Sequence, residues 1–348
     1  MRILFVPVSA PTGIGEYSRS VAIATALQAV RPDAAISFVL NQHAPHAANT
    51  PFPATLLPSS ATFHPREVAA LIRDQRPDLV VFDNAGRTGQ LRAARDCGAR
   101  VVYISSRPRQ RRKAFRLKWL ALLDEHWIAW PEFLAGSLTA TERLKLRFGA
   151  HRPTVRFFDT IMPAPSAAES EAAAARFGLE PDNFALVVPG GGSAHPRIEG
   201  GPLTMAAAAL RLARRGHSTL LVGPAGTEQA NASGLRQSPY LPMRDLVALM
   251  ARARVVVSNG GDTLLQALSF QRLCVAAPLA RDQIRRIRHC AQAGIATGVD
   301  LDDRELALAA EALLLDGERR ARQSERIAQY PIRNELGIAV DALTKLVA

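Results

Sequence analysis

Short, unbroken apolar runs rich in Val, Ile, Leu and Phe alternate with stretches of helical period along the whole chain. Runs this continuous suit strands buried on both faces rather than half-exposed ones. In the first half they predict strands at 3–8, 35–40, 78–83, 100–105 and 126–130, with helices at 15–30, 65–75, 86–97 and 109–123. In the second half strands are predicted at 184–189, 218–223, 254–259, 273–278 and 294–299, and helices at 201–215, 243–253, 262–271, 281–293 and 303–329. Strands alternating with helices build parallel sheets through crossover connections. The expected fold is therefore α/β, with two doubly wound, Rossmann-like parallel-sheet domains. Their predicted bounds are 1–161 and 184–332, joined by a linker at 162–183 that begins Pro-rich and ends Ala-rich. A last helical pattern, 333–348, is placed to pack back on the first domain. The Pro-, Ala- and Ser-rich stretch 41–65 reads as a long surface loop.

Composition agrees and narrows the class. At 348 residues and 48% hydrophobic, the chain has material for two cores. No apolar run approaches the roughly 18 residues a spanning helix needs. The N-terminal "MRILFVPVSAP" lacks the longer apolar core of a signal peptide and reads as a buried strand. Cys97, Cys274 and Cys290 are odd in number and without metal spacing, which favours buried filler in a reducing cytoplasm over a disulfide framework. The net charge of +12 is lopsided: residues 1–160 carry 22 basic and 12 acidic side chains, the remainder 21 and 19. An anionic partner for the first half is one reading; an arginine-rich composition without functional meaning is the other.

In doubly wound sheets, ligands sit outside the carboxyl ends of the strands. Five loops after predicted strands therefore matter most. The first, 7–27, offers Gly13 and Gly15 for close backbone approach, with Glu16 at a helix start. Glu16 also suits that place merely by favouring the helix dipole. The second, "PGGGSAHPRIEGGP" (189–202), sets Gly190, Gly191, Gly192 and Ser193 as a nest for phosphate oxygens, or a flexible turn. The third, after the strand 254–259, sets Asn259, Gly260 and Gly261 before a helix, whose Thr263 can cap it or bond a phosphate, with Gln266 on the same face. In the fourth, Asp282 and Gln283 begin a helix and can bond sugar hydroxyls, or serve as ordinary first-turn polar residues. The fifth, "SSRPRQRRKAFRLKW" (105–119), crowds Arg107, Arg109, Arg111, Arg112, Lys113, Arg116 and Lys118 among Phe115, Leu117 and Trp119. That mix suits a membrane interface, an anionic acceptor or nucleic acid, and equally a solvated basic face. No nucleophile elbow, zinc spacing, Walker motif or Asp-x-Asp run occurs.

In this order the loops resemble the GT-B fold of nucleotide-sugar glycosyltransferases, nearest to the branch of the peptidoglycan N-acetylglucosaminyltransferase and the macrolide and natural-product glycosyltransferases. "GIGEYSR" (13–19) resembles that branch's N-terminal glycine loop, "GGGSA" (190–194) its donor-domain glycine loop, and residues 246–296 its C-terminal donor signature. The resemblance implies two domains facing a cleft, a nucleotide-diphosphate sugar as substrate, no cofactor and no metal. It implies donor contacts at Gly190, Gly191, Gly192, Ser193, Asn259, Gly260, Gly261, Thr263, Gln266, Asp282 and Gln283. It also implies an acceptor side at Gly13, Gly15, Arg107 and Arg109. Where the family carries a basic histidine this chain has Glu16, and a carboxylate can take an acceptor proton equally well. Asp83, ending the third strand, is the spare base or its orienting partner. Asn259 and Gln266 replace a histidine and an acidic residue of the family.

The implied activity is inverting, metal-independent transfer to an acceptor hydroxyl in glycan or cell-envelope biosynthesis. A lipid-linked or otherwise anionic acceptor, and peripheral membrane contact at the inner face through 107–119, fit the basic loop. Nucleic acid fits poorly, because the glycine loops lie in the near-neutral half. A nucleotide-sugar hydrolase, an epimerase and a non-catalytic binding protein remain as alternatives.

Overall fold

The structure, a computed structural model, describes residues 1–9, 14–149, 151–190, 200–224 and 234–347. It divides into two compact units, Met1–Ile161 with Glu335–Ala348 and Met162–Asn334. The first runs β1 (Arg2–Pro7), α1 (Gly15–Val30), β2 (Ala35–Asn41), β3 (Ala54–Leu57), α2 (Pro65–Gln75), β4 (Leu79–Asp83), α3 (Thr88–Asp96), β5 (Arg100–Ser105), α4 (Pro108–Ala114), α5 (Leu117–Leu120), β6 (Glu125–Ile128), α6 (Glu132–Ala135), α7 (Ala140–Phe148) and β7 (Thr154–Phe157). The second runs α8 (Ala167–Arg176), β8 (Ala185–Val188), α9 (Gly201–Arg214), β9 (Thr219–Val222), β10 (Leu235–Ser238), α10 (Met243–Met250), β11 (Val255–Ser258), α11 (Asp262–Ser269), β12 (Leu273–Ala276), α12 (Arg281–Gln292), β13 (Thr297–Gly298), α13 (Asp303–Leu315) and α14 (Gly317–Gln329). The chain then returns to the first unit as α15 (Leu336–Leu346).

Both sheets are wholly parallel among the described residues. Their orders are β3-β2-β1-β4-β5-β6-β7 and β10-β9-β8-β11-β12-β13. The two share one plan, in which order reverses between β1 and β4 and again between β8 and β11. A doubly wound sheet opens its ligand crevice at such a reversal.

The continuous apolar runs have their reason in the first sheet. Ile3, Phe5, Phe38, Val81 and Ile104 pack on one face, and Leu4, Val6, Val80, Phe82 and Tyr103 on the other. Helix α15 completes the first face, where Val340 and Leu343 join Ile23 and Leu27 of α1 in one cluster. Each such buried side chain contributes about 1.5–3 kcal/mol relative to exposure. The return is also pinned by hydrogen bonds, from the Asp159 amide to Glu335 Oε2 (2.7 Å) and from the Glu335 amide to the Thr160 carbonyl (2.9 Å).

Three strands have no counterpart in the apolar pattern: β3, β7 and β10. Each is four residues long and lies at the edge of its sheet. An edge strand pairs on one side only and needs no continuous apolar run, so its signal is weak. The stretch 41–65 accordingly holds β3 and two helical turns, Ala47–Asn49 and Ala61–Phe63, rather than a plain loop. The single helix expected at 303–329 is two helices, because Asp316 caps a new one by accepting from the Glu318 and Arg319 amides. Residues 162–183 contain α8, started by a reciprocal Ser166–Glu169 cap and packed on α10.

Candidate active site

In the first unit, the ends of β1 and β4 lie side by side, Pro7 opposite Asp83. Asp83 is fully buried, and Arg19 of α1 donates to both its oxygens, from Nε (2.8 Å) and from a terminal nitrogen (2.7 Å). Such a fork-to-fork pair fixes both groups. Asp83 therefore enters the site as an anchor for α1 and not as a carboxylate open to substrate. Three residues before Arg19, on the same face of α1, stands Glu16.

Asn84 follows β4 with a left-handed backbone, φ +52°. Asparagine tolerates that conformation, and here its side chain is spoken for. Its Oδ1 accepts from the Ser106 amide (2.9 Å), and its Nδ2 donates to Glu16 Oε1 (2.9 Å) and to the Ser106 hydroxyl. Arg107, after β5, donates to the same Glu16 oxygen at 3.1 Å. Both donors thus meet Oε1, and among the described residues Oε2 accepts from none. Glu16 is nearly buried, its side chain 11% exposed, whereas that of Arg107 is 55% exposed. Sequence reasoning passed over Asn84 and Ser106 and gave Arg19 no role. The one available signal was a polar Asp-Asn pair directly after an apolar strand.

The basic stretch 105–119 divides in two. Arg111 is buried, pairs with both oxygens of Glu142 (3.0 and 2.8 Å) and donates to the carbonyls of Ala135, Gly136 and Ser137. Phe115 and Trp119 are core residues, each 1% exposed, so the expected basic-aromatic surface is absent here: the rings cover the sheet and leave Leu117 as the exposed apolar side chain. Lys113 bonds the Gly86 carbonyl (2.7 Å) and lies 4.4 Å over the Trp119 ring. Burial, and then the charges of Arg87, Arg116 and Arg109, push its pKa down to about 8. Arg107, Arg109, Arg112, Arg116 and Lys118 remain exposed.

In the second unit, Asn259 follows β11 and closes the turn around itself. Its Nδ2 donates to the Pro189 carbonyl after β8 (2.7 Å), and its Oδ1 accepts from the Gly261 amide (2.7 Å). This bracket joins the two strand ends that flank the order reversal. Gly260 cannot carry a side chain, since a Cβ would sit 2.6 Å from Ile287 Cγ1. Gly190, at φ +121°, is confined in turn by the Asn259 amide. Buried Arg286 donates to the Gly260 carbonyl (2.7 Å) and lies 3.7 Å from Asp262.

The glycine turn opens α11, whose cap residue is Gly261, so no side chain caps it and Thr263 sits two positions too far along to do so. Gln266 is buried, with Nε2 3.9 Å from the Met243 sulfur. Gln283 spends Oε1 on the Leu279 (2.7 Å) and Ala280 (3.1 Å) amides, shaping the turn into α12, and Asp282 beside it is exposed. Gly15 is the first residue of α1, and Arg109 lies exposed on α4. Gly13, Gly191, Gly192 and Ser193 lie outside the described residues. No group of three His, Cys, Asp or Glu suited to a metal occurs among the described residues, and none of their helices is long and apolar enough to cross a membrane.

Two parallel-sheet Rossmann-like units along one chain, each with a polar constellation at its order reversal, define the fold of the GT-B glycosyltransferases. Solved structures share it over essentially the whole chain. The glycotransferase of kitacinnamycin is 17% identical, with a TM-score of 0.63 over 100% of this chain and 99% of that one. The spinosyn forosaminyltransferase SpnP is 16% identical, with a TM-score of 0.66 over the same shares. The glycosyltransferase VinC, solved in complex with DTDP, is 14% identical, with a TM-score of 0.62 over 100% of this chain and 99% of that one. No protein-family model matches the chain, and no curated protein matches it in sequence.

Proposed function

We propose that this chain is a glycosyltransferase that moves a sugar from a nucleotide-diphosphate donor to an acceptor hydroxyl, with inversion and without a metal. The observation that supports it most is the fold shared, unit for unit and end to end, with glycosyltransferases, one of them holding DTDP. The donor belongs on the second unit. There the glycine turn 259–261 leads into the uncapped start of α11, whose first-turn amides and helix dipole suit a diphosphate. Gly190, held against Asn259, borders that turn, and Thr263, Asp282 and Gln283 are the residues assigned to the sugar.

In the first unit Glu16 is the base. Its Oε2 takes the proton as the acceptor oxygen attacks the anomeric carbon, and the bond to the diphosphate breaks with its electron pair on the leaving group. Amides already in place stabilise the charge that develops there, without reorganisation. Asn84 holds the carboxylate by Oε1, which leaves Oε2 as the oxygen proposed to take the proton. Asp83 holds α1 through Arg19 and takes no proton.

The test is a thermal-shift screen against UDP-, TDP- and GDP-sugars, followed by assay of nucleotide release with and without acceptor hydroxyls. A sugar nucleotide that stabilises the protein and turns over only with an acceptor supports transfer. Release without acceptor would make the chain a hydrolase, and stabilisation by none would leave a binding protein.

A further inference from the structure

The segment after β5, which brings Arg107 to Glu16, carries more positive charge than nearby carboxylates pair with. Of the stretch 107–116, Arg107 and Arg111 find carboxylates, Glu16 and Glu142. Arg109, Arg112 and Arg116 pair with none among the described residues. Part of that charge acts on Lys113, whose pKa is lowered first by burial and then by Arg87, Arg116 and Arg109. This unbalanced charge lies after β5, beside the β1–β4 reversal where the sheet opens its crevice.

The Glu16–Arg107 pair is also unequal. Glu16 is anchored, since Asn84 shares its Oε1 and is itself clamped by Ser106. Arg107 is more than half exposed and reaches only that one oxygen, at 3.1 Å, among the described residues. With its arginine half in solvent the pair is weakly held, so its outer member can exchange partners at little cost.

We propose that the acceptor is a small anion, with a carboxylate or phosphate near its reacting hydroxyl, and that Arg107 reads it by trading Glu16 Oε1 for the ligand's oxygens. The inference rests on Glu16 being the base. Arg109 and Arg116 add to the surrounding positive charge, and Asn84 keeps Glu16 in place after Arg107 has left. A membrane surface is the weaker occupant, because the aromatic rings that would insert, Phe115 and Trp119, are in the core.

Isothermal titration of the full chain with 4-hydroxybenzoate, glucuronate and glycerol 3-phosphate tests it. Each is run beside a neutral counterpart, namely methyl 4-hydroxybenzoate, glucose and glycerol, at matched ionic strength. At least one anion should bind about tenfold or more tightly than its counterpart, and Arg107→Ala should remove that preference. Arg107→Lys should restore part of it, and Arg319→Ala, on the second unit, should leave it intact. Glu16→Gln should strengthen anion binding, because Arg107 then loses its competing carboxylate. Equal binding of charged and neutral probes, no binding of any anion, or indifference to Arg107→Ala would overturn the proposal. So would binding confined to phosphatidylglycerol vesicles. Titration with dTDP and UDP is read separately: failure there removes the transferase reading while leaving the Arg107 result to stand or fall on its own.

Discussion

Arg19 grips both oxygens of Asp83, at 2.8 and 2.7 Å, in a site where the aspartate is fully buried. The pair ties the first helix of the chain to the end of β4 and so sets where Glu16 stands, one turn earlier on α1. Asp83 thus serves as an anchor that positions Glu16, the residue proposed as the base.

Asp83→Asn strands a buried guanidinium, and removing one member of a buried pair typically costs about 3–5 kcal/mol. The three tryptophans, Trp119, Trp127 and Trp130, all lie in the first unit, so their fluorescence in urea reports its unfolding. The midpoint should fall markedly for Asp83→Asn and little for Glu16→Gln. Equal effects would show that the pair does not anchor α1.

Glu16→Gln keeps the shape and removes the proposed base. Turnover should drop by about 100-fold or more while dTDP affinity, measured by titration, stays within twofold. Asn84→Ala should lower kcat with little change in donor KM, and Asn84→Asp should do worse, by setting a second carboxylate against Oε1. Full activity in Glu16→Gln would take the residue out of the mechanism.

Gly260→Ala drives a methyl group to 2.6 Å from Ile287, and Gly261→Ala drives one to 2.6 Å from Asn259 Oδ1. Both should weaken nucleotide binding by about tenfold or more, the second by breaking the bracket that Asn259 makes to the Pro189 carbonyl. Asn259→Ala, which loses both bonds, should cost about 1–3 kcal/mol in stability. Calorimetry and nucleotide titration would distinguish the two effects.

His126 is fully buried beside Ser105, and burial, helped by Arg111 and opposed by Glu142, pushes its pKa down to about 3. The unfolded chain takes up that proton near pH 6.5, well before the folded chain does. Its contribution is therefore whole above pH 6.5 and is lost as pH falls toward 3, with a limiting slope of about 1.4 kcal/mol per pH unit. Urea midpoints from pH 7 to 3.5, followed by tryptophan fluorescence, should fall less steeply for His126→Leu than for the unaltered chain.

The alternation of apolar runs and helical stretches determined the two parallel sheets, because strands buried on both faces leave no other pattern. It also marked the turn after β11, where Gly260 is confined by Ile287 and the Gly261 amide bonds Asn259. The edge strands β3, β7 and β10 escaped it because half their surroundings are solvent.

What only the tertiary structure decided is which polar groups meet. Asn84 and Arg107 approach Glu16 across 68 and 91 residues of chain, and Arg111 finds Glu142 across 31. No local period encodes those separations. Parallel pairing of β1, β4 and β5 brings their ends together, and burial then demands a partner for every charge left there.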